Sequence, residues 1–286
     1  MSTLRIATLN IWNKAGPWIE RLALIRREVE RLQPAVLGLQ EVLRFAPNGR
    51  ERFEPNSATC QASEIGEGFD YHVAYAEASD YGGGLMFGNA LLSRFPIVSA
   101  QSFILPGLES GESRSLLYTV LETPFGKLPV FVTHLNWKFH QGSVRLKQVR
   151  FIAERVAQFV PTRGGFLPPV LMGDFNAEPE SDEIRFLRGL AVIEGQSVFF
   201  ADAWVYGGDG SLGATYDRSN DYARAAREPS RRIDYIFVRG PDSALRGEPM
   251  HTELAFATPD VGASGQVWPS DHFGLVSDVY FAPRSP

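Results

Sequence analysis

Hydrophobic positions recur along this chain in two rhythms, one of period two and one close to 3.6, and most apolar runs end on a polar group. Residues 4–11 read as a buried strand with Asn10 at its end. Leu22, Ile25, Val29 and Leu32 then recur at spacings of three, four and three, laying an apolar stripe along a helix that Pro34 stops. Residues 36–39 form a second strand that delivers Gln40 and Glu41 at its far end. From Arg44 to Gly68 the pattern dissolves into turn-forming clusters such as Pro47-Asn48-Gly49 and Pro55-Asn56-Ser57, with at most a short helix over 59–65.

Residues 71–76 and 89–93 read as further strands, with a turn at Gly82-Gly83-Gly84 between them. Residues 115–122 and 128–134 suit an antiparallel hairpin around Thr123-Pro124-Phe125-Gly126-Lys127. Val149, Ile152, Val156 and Phe159 mark the second amphipathic helix, opened by Ser143 and ended by Pro161. Val170-Leu171-Met172-Gly173 then leads into Asp174-Phe175-Asn176, whose two polar side chains share one side of an extended chain. The acidic run at 178–183 suits the positive end of a helix closed by Gly189. Residues 206–230 form a long polar loop with one helical turn over 222–226, and strands at 233–238 and 273–281 follow. Strands and helices mix irregularly and several strand pairs look antiparallel, which argues for an α+β sandwich over a doubly wound sheet.

Composition narrows this only a little. The chain has 286 residues, 44% hydrophobic and 21% charged, enough apolar material for a sizeable core. No Ser/Gly/Pro-rich or charged linker divides it, so 1–286 reads as one catalytic domain. With 33 acidic against 28 basic residues the net charge is −5, and no global basic field attracts nucleic acid. One cysteine, Cys60, excludes an internal disulfide and fits a reducing compartment. The chain is strand-like by Ile6, so no leader peptide is expected within this sequence, and no apolar run reaches the roughly 18 residues of a membrane-spanning helix. The expected location is the cytoplasm, and no protein partner is evident.

The chemistry lies in six short motifs: Leu9-Asn10-Ile11-Trp12, Leu39-Gln40-Glu41-Val42, Val132-Thr133-His134-Leu135, Gly173-Asp174-Phe175-Asn176, Arg232-Ile233-Asp234-Tyr235-Ile236 and Ser270-Asp271-His272-Phe273-Gly274. Asn10, Glu41 and Asp271 are hard oxygen donors of the kind Mg²⁺ or Mn²⁺ prefers. A carboxylate beside an imidazole, as Asp234 beside His272 would be, fixes the tautomer and raises its basicity. His72, His140 and His251 lack zinc-ligand spacing, and the glycine triplet matches no phosphate-cradling loop.

In this order the six motifs resemble those of the endonuclease/exonuclease/phosphatase superfamily of metal-dependent phosphoesterases, from Asn10 to His272. The resemblance implies a four-layer α/β sandwich, two packed mixed β-sheets flanked by helices, with the site at one end. It implies that Glu41 is the principal ligand of Mg²⁺ or Mn²⁺, that Asn10 lies beside the metal or phosphate, and that Asp271 helps hold the metal. It pairs Asp234 with His272 and has His134 donate to the phosphate in the transition state. Either Asp174 or His272 can activate the water; the sequence reading favours His272 with Asp234 as acid/base, and Asp174 with Asn176 as orienting groups. Asn89 and Arg114 fall where related enzymes touch substrate, and Lys138, Arg145, Arg224, Arg227, Arg231 and Arg232 are further cations able to meet phosphate.

Trp12 stands where the abasic-site repair branch has an acid or amide, and His134 is closer to the deadenylase, phosphatase and sphingomyelinase branches. The expected substrate is therefore a phosphoester: a nucleic acid, a nucleotide, a sugar or inositol phosphate, or a phospholipid head group. Two rival readings are a sphingomyelinase-type enzyme acting on lipid and a catalytically silent phosphate-binding module. The silent module predicts decay of at least one motif, and all six are intact.

Overall fold

Two strand–helix–strand units set the architecture. β1 (Thr3–Asn10) and β2 (Val36–Phe45) are parallel neighbours joined through α1 (Trp18–Leu32), and β7 (Gly126–His134) and β8 (Val170–Asp174) are parallel neighbours joined through α3 (Gly142–Phe159). Parallel strands need such a crossover, and each pair therefore ends on the same edge of its sheet. The computed structural model describes residues 3–46, 60–162, 165–262 and 265–282. Its remaining elements are α2 (Gln61–Gly66), β3 (His72–Asp80), β4 (Leu85–Ser93), β5 (Ile97–Ile104), β6 (Ser115–Thr123), α4 (Asp182–Leu187), β9 (Ala201–Asp202), α5 (Ala203–Gly207), α6 (Asp221–Ala225), β10 (Asp234–Val238), β11 (Glu248–Ala255), β12 (Asp260–Gly262), β13 (Gly265–Val267) and β14 (Gly274–Tyr280).

One six-stranded sheet runs β11-β14-β1-β2-β4-β3 and the other β5-β6-β7-β8-β10-β9, while β12 and β13 pair apart from both. Within each large sheet only the β1/β2 or β7/β8 pair is parallel, so both are mixed. The sheets pack face to face with helices outside, the four-layer α/β sandwich expected from the motifs. Alternation along each strand sorts the apolar residues into layers. Leu4, Ile6, Val130, Val132, Val170, Met172, Ile236 and Val238 fill the space between the sheets. Ala7, Leu9 and Leu39 meet Ile25, Val29 and Leu32 of α1 on one outer face. Leu171, Tyr235 and Phe237 meet Val149, Ile152 and Val156 of α3 on the other.

Both amphipathic helices form as their periodicity predicts, with Leu22 half-buried at the margin of its stripe. β2 does not stop at Glu41 but continues to Phe45 through a register shift against β4, between Leu39 and Val42. Pro47-Asn48-Gly49 and Pro55-Asn56-Ser57 lie outside the described residues. Among the described residues no helix is long and apolar enough to cross a membrane.

Gly173 is fixed by the closeness of β8 to β7. Its φ is +140°, and an added Cβ would stand 1.9 Å from the Thr133 carbonyl oxygen, so any side chain meets both backbone strain and a clash. Gly173→Ala is expected to lower stability by about 2–4 kcal/mol, read as a lower urea midpoint. An unchanged midpoint would mean that β7 and β8 separate at little cost.

Candidate active site

Strand parity explains why the polar residues converge. In β7 the inward side chains Leu128, Val130 and Val132 lead to His134, and in β8 Val170 and Met172 lead to Asp174. In β10 Ile236 and Val238 fix the face on which Asp234 lies, and in β1 Leu4 and Ile6 fix that of Asn10. Residues two apart share a face, so burying each apolar set between the sheets turns its terminal polar group inward too. Register completes the alignment: His134 and Asp234 both pair with Asp174, and Asn10 pairs with Gln40.

Glu41 is the exception. Parity turns Gln40 inward, and Glu41 would face the other way. The register shift in β2 coincides with a φ of +60° at Glu41, a left-handed conformation uncommon for a non-glycine residue. A bulge of this kind re-aims a side chain. Glu41 thereby accepts from Asn10 Nδ2 at 3.2 Å and from Asn13 Nδ2 at 2.9 Å. Asn10 Nδ2 also donates to Asp174 Oδ2 at 3.0 Å, while its Oδ1 accepts from the Trp12 backbone N–H at 3.0 Å. The asparagine thus ties the two carboxylates together and spends its own oxygen on the backbone.

Asp174 stands at the centre. Its Oδ1 accepts from the Asn176 backbone N–H at 2.8 Å, and its Oδ2 lies 3.5 Å from His134 Nε2 and 3.8 Å from His272 Nε2. Burial, reinforced by the neighbouring Asp234, pushes the Asp174 carboxyl up to about 7. His272 Nδ1 donates to Asp234 Oδ2 at 2.9 Å. Burial alone would lower the His272 imidazole, but the Asp234, Asp271 and Asp174 carboxylates outweigh it and raise it well above its ordinary value. His134 goes the other way: burial and the Arg114 guanidinium hold it well below its ordinary value. Arg114 Nη1 lies 3.1 Å from His134 Nδ1 and 3.4 Å from Nε2; donation to the nearer nitrogen, with Asp174 Oδ2 3.5 Å from Nε2, suits the tautomer that carries its proton on Nε2.

Asp271 reaches the site from the segment before β14. Burial is the main cause that pushes its carboxyl up to about 6. That segment is held by Ser270 Oγ donating to the Asn10 carbonyl at 2.6 Å and Asn220 Nδ2 donating to the Ser270 carbonyl at 2.8 Å. Thr215 adds a clasp that the sequence did not signal: its Oγ1 accepts from the Ile233 and Asp234 backbone N–H groups, and its carbonyl accepts from Phe273 N–H at 2.6 Å. Arg21, fully buried on α1, ties the same region to the first loop by donating to the Ala15 and Pro269 carbonyls.

These groups line or border a cleft of about 540 Å³ whose walls include Glu41, His134, Asp174, Asn176, Asp271, His272 and Arg114. Asn10 and Asp234 sit directly behind it, hydrogen-bonded to lining residues. Asn13, Tyr216 and Trp137 also line it, and no motif had pointed to them. Tyr216 lies edge-on to His272 with centroids 5.1 Å apart.

Asn89 and Arg145 are not among the lining residues. Asn89 is buried in β4, its amide donating to the Ser115 carbonyl of the other sheet at 2.9 Å. Arg145 is buried in α3, pairing with Glu183 at 2.6 Å and donating to the Lys138 carbonyl at 2.8 Å. Its helical position turns it toward α4 and away from the substrate position expected of it. Arg232 is likewise spent, on both Asp202 oxygens at 2.9 Å. Breaking a buried pair strands its partner, so Arg145→Ala is expected to cost about 3–5 kcal/mol of stability in denaturant melts while leaving KM unchanged. A raised KM at unchanged stability would return Arg145 to substrate binding.

A sequence model described as Endonuclease/Exonuclease/phosphatase family matches residues 7–272. The Carbon catabolite repressor protein 4 homolog 3 of Arabidopsis thaliana is 28% identical over 172 residues, which make up 59% of this chain; the match spans 35% of that relative's length. An endonuclease/exonuclease/phosphatase family protein from Bacteroides thetaiotaomicron shares the fold with a TM-score of 0.72 at 19% identity, covering 98% of this chain and 95% of that one. TDP2 from C. elegans superposes with a TM-score of 0.69 at 20% identity, over 97% of this chain and 75% of its own.

Proposed function

The chain belongs to the Endonuclease/Exonuclease/phosphatase family, and from that premise we propose that its cleft hydrolyses a phosphoester bond by in-line attack of an activated water, with Mg²⁺ or Mn²⁺ as cofactor. The observation that carries this reading is the meeting of Asn10, Glu41, His134, Asp174, Asp234 and His272 at one end of the sandwich, joined by hydrogen bonds and close contacts.

The donor set fits a hard divalent cation. Glu41 and Asp271 offer carboxylate oxygens at the cleft, and burial raises Asp271 and Asp174 to about 6 and 7, so both gain from positive charge placed beside them. The ligand atoms of Asp174, Asp234 and His272 also lie within 4.8 Å of one another, but Asp234 and His272 are already spent on each other. Glu41 and Asp271 are therefore assigned as the holding residues, with Asn10 orienting Glu41. When bound, the cation stabilises charge on the non-bridging phosphate oxygens.

The protein's own groups divide the remaining work. Asp174, held by Asn10 and the Asn176 N–H and poised near neutrality, takes the proton of the attacking water. His272, kept protonated by Asp234, donates through Nε2 to the phosphate or leaving oxygen. His134, neutral with its proton on Nε2, donates to a phosphate oxygen, and Arg114 behind it adds positive charge. This moves the base role from His272, favoured from sequence, to Asp174 and keeps His272 as the acid, because the two environments push the protonation of Asp174 and His272 apart.

The test is a hydrolysis screen with Mg²⁺ or Mn²⁺ across phosphodiesters, phosphomonoesters, oligonucleotides, inositol phosphates and sphingomyelin. Turnover of at least one class, with Asp174→Asn lowering it about 10²- to 10⁴-fold, is the expected result. Failure on every class would favour the phosphate-binding module, and confinement to sphingomyelin the lipid-acting enzyme.

A further inference from the structure

Arg231 enters the cleft from the strand-like segment before β10, where its backbone exchanges two hydrogen bonds with Tyr216, at 2.8 and 3.0 Å. The guanidinium is clamped between rings, 4.5 Å from the Phe139 centroid and 5.6 Å from that of Tyr216. The residue is 5% exposed. Of its five N–H donors, Nη2 provides one to Glu228, Nε is buried without a partner, and Nη1 makes no hydrogen bond among the described residues.

A rigid, nearly buried cation with unused donors on a cleft wall is costly unless something completes it. Arg232, the next residue, is turned away from the cleft and gives Nη1 to both oxygens of Asp202, whereas Arg231 lines the cleft wall. Arg231 has one carboxylate oxygen and two aromatic faces, which fix its plane and leave Nη1 for the oxygens of an anion in the cleft. One tyrosine ring separates this fork from the imidazole of His272, since Tyr216 contacts both.

We propose that Arg231 forms a subsite for a second phosphate group of the substrate, next to the phosphate that is hydrolysed. The assignment rests on the phosphoesterase reading above and sharpens it: the preferred substrate carries two neighbouring phosphates. A polynucleotide offers that pair along its backbone, and a polyphosphorylated polyol offers it around a ring.

The full-length protein with saturating Mg²⁺ or Mn²⁺ is tested in two arms. One compares the p-nitrophenyl ester of thymidine 5′-phosphate with the same ester carrying a 3′-phosphate. The other compares inositol 4-phosphate with inositol 4,5-bisphosphate. In at least one arm the wild type is expected to favour the doubly phosphorylated compound in kcat/KM, mainly through KM. Arg231→Gln should shrink that ratio by about ten- to a hundred-fold, the range of a hydrogen bond to a charged group, and Arg231→Lys should restore part of it. The arm that responds identifies the source of the second phosphate.

A merely structural arginine would lower both members of a pair together and leave the ratio unmoved, which overturns the subsite. Wild-type indifference to the second phosphate in both arms overturns it as well. Absence of hydrolysis in both arms and across the wider screen instead overturns the phosphoesterase reading, and the subsite falls with it.

Discussion

Asp234→Asn and His272→Ala are each expected to lower kcat/KM by about 10²- to 10⁴-fold, the range for a positioned acid or base, and the double variant to lose hardly more than either alone. The expectation follows from the 2.9 Å bond between His272 Nδ1 and Asp234 Oδ2, which aims Nε2 at the cleft and stabilises the imidazolium. The other Asp234 oxygen is buried without a hydrogen-bond partner among the described residues, so His272 is the one group the carboxylate is seen to hold. An amide at 234 keeps the shape but can present N–H toward Nδ1, inverting the tautomer. Groups that act as a unit are strongly non-additive. The check is kcat/KM for both single variants and the double variant at saturating metal; losses that multiply would separate the two residues.

The same variant carries a pH signature. The Asp234 carboxylate raises the imidazole, whereas burial lowers it. Removing the carboxylate leaves burial unopposed by its strongest partner, so the imidazolium of Asp234→Asn loses its proton at lower pH. If His272 acts as the acid, the alkaline limb of the kcat/KM profile moves to lower pH in Asp234→Asn. An unmoved limb would assign it to another group.

Exhaustive chelation is expected to abolish turnover, and Mg²⁺ or Mn²⁺ to restore it. Glu41→Gln should then raise the metal concentration needed for half-maximal activity by about 10²-fold, because the charge count of the ligands sets affinity for a hard cation. Glu41 occupies an uncommon left-handed backbone position and is steadied by Asn10 and Asn13, features that favour a directed role over a solvated edge charge. Binding can be followed without turnover. A ligand that binds only the folded state stabilises it, by about 2.7 kcal/mol at a hundred times Kd, so Mn²⁺ should raise the Tm of the wild type more than that of Glu41→Gln. With Asp271 raised to about 6 and Asp174 to about 7, Mn²⁺ binding near pH 6.5 should also release protons, measurable by calorimetry in buffers of different ionisation enthalpy. Full activity after chelation would end the metal assignment.

Strands with a buried apolar face were legible, the edge strand β3 among them, and the more exposed edge strands β5 and β11 were not. β1, β7, β8, β10 and β14 carry closely spaced buried residues, and each was recognised from its apolar run. β5 and β11, at one edge of their respective sheets, read Ile-Val-Ser-Ala-Gln-Ser-Phe-Ile and Glu-Pro-Met-His-Thr-Glu-Leu-Ala and escaped notice. An edge strand presents one side to solvent, which weakens the alternation that betrays a central strand. The bulge at Glu41 was equally hidden, since a register shift arises from pairing with β4 and not from the local residues.

The sequence by itself determined which chemical groups end the apolar runs: Asn10, His134, Asp174 and Asp234 lie at the ends of strands whose hydrophobic period fixes the face they share. Only the tertiary structure decided which arginines reach the cleft. Arg114, Arg145, Arg231 and Arg232 look alike as isolated cations. Packing directs Arg145 to Glu183 and Arg232 to Asp202, while Arg114 meets His134 and Arg231 lines the cleft between two rings. A strand's two-residue period transmits local pattern directly into side-chain direction. A long flexible cation takes its direction from whichever buried partner offers the better hydrogen bonds, and those partners lie elsewhere in the chain.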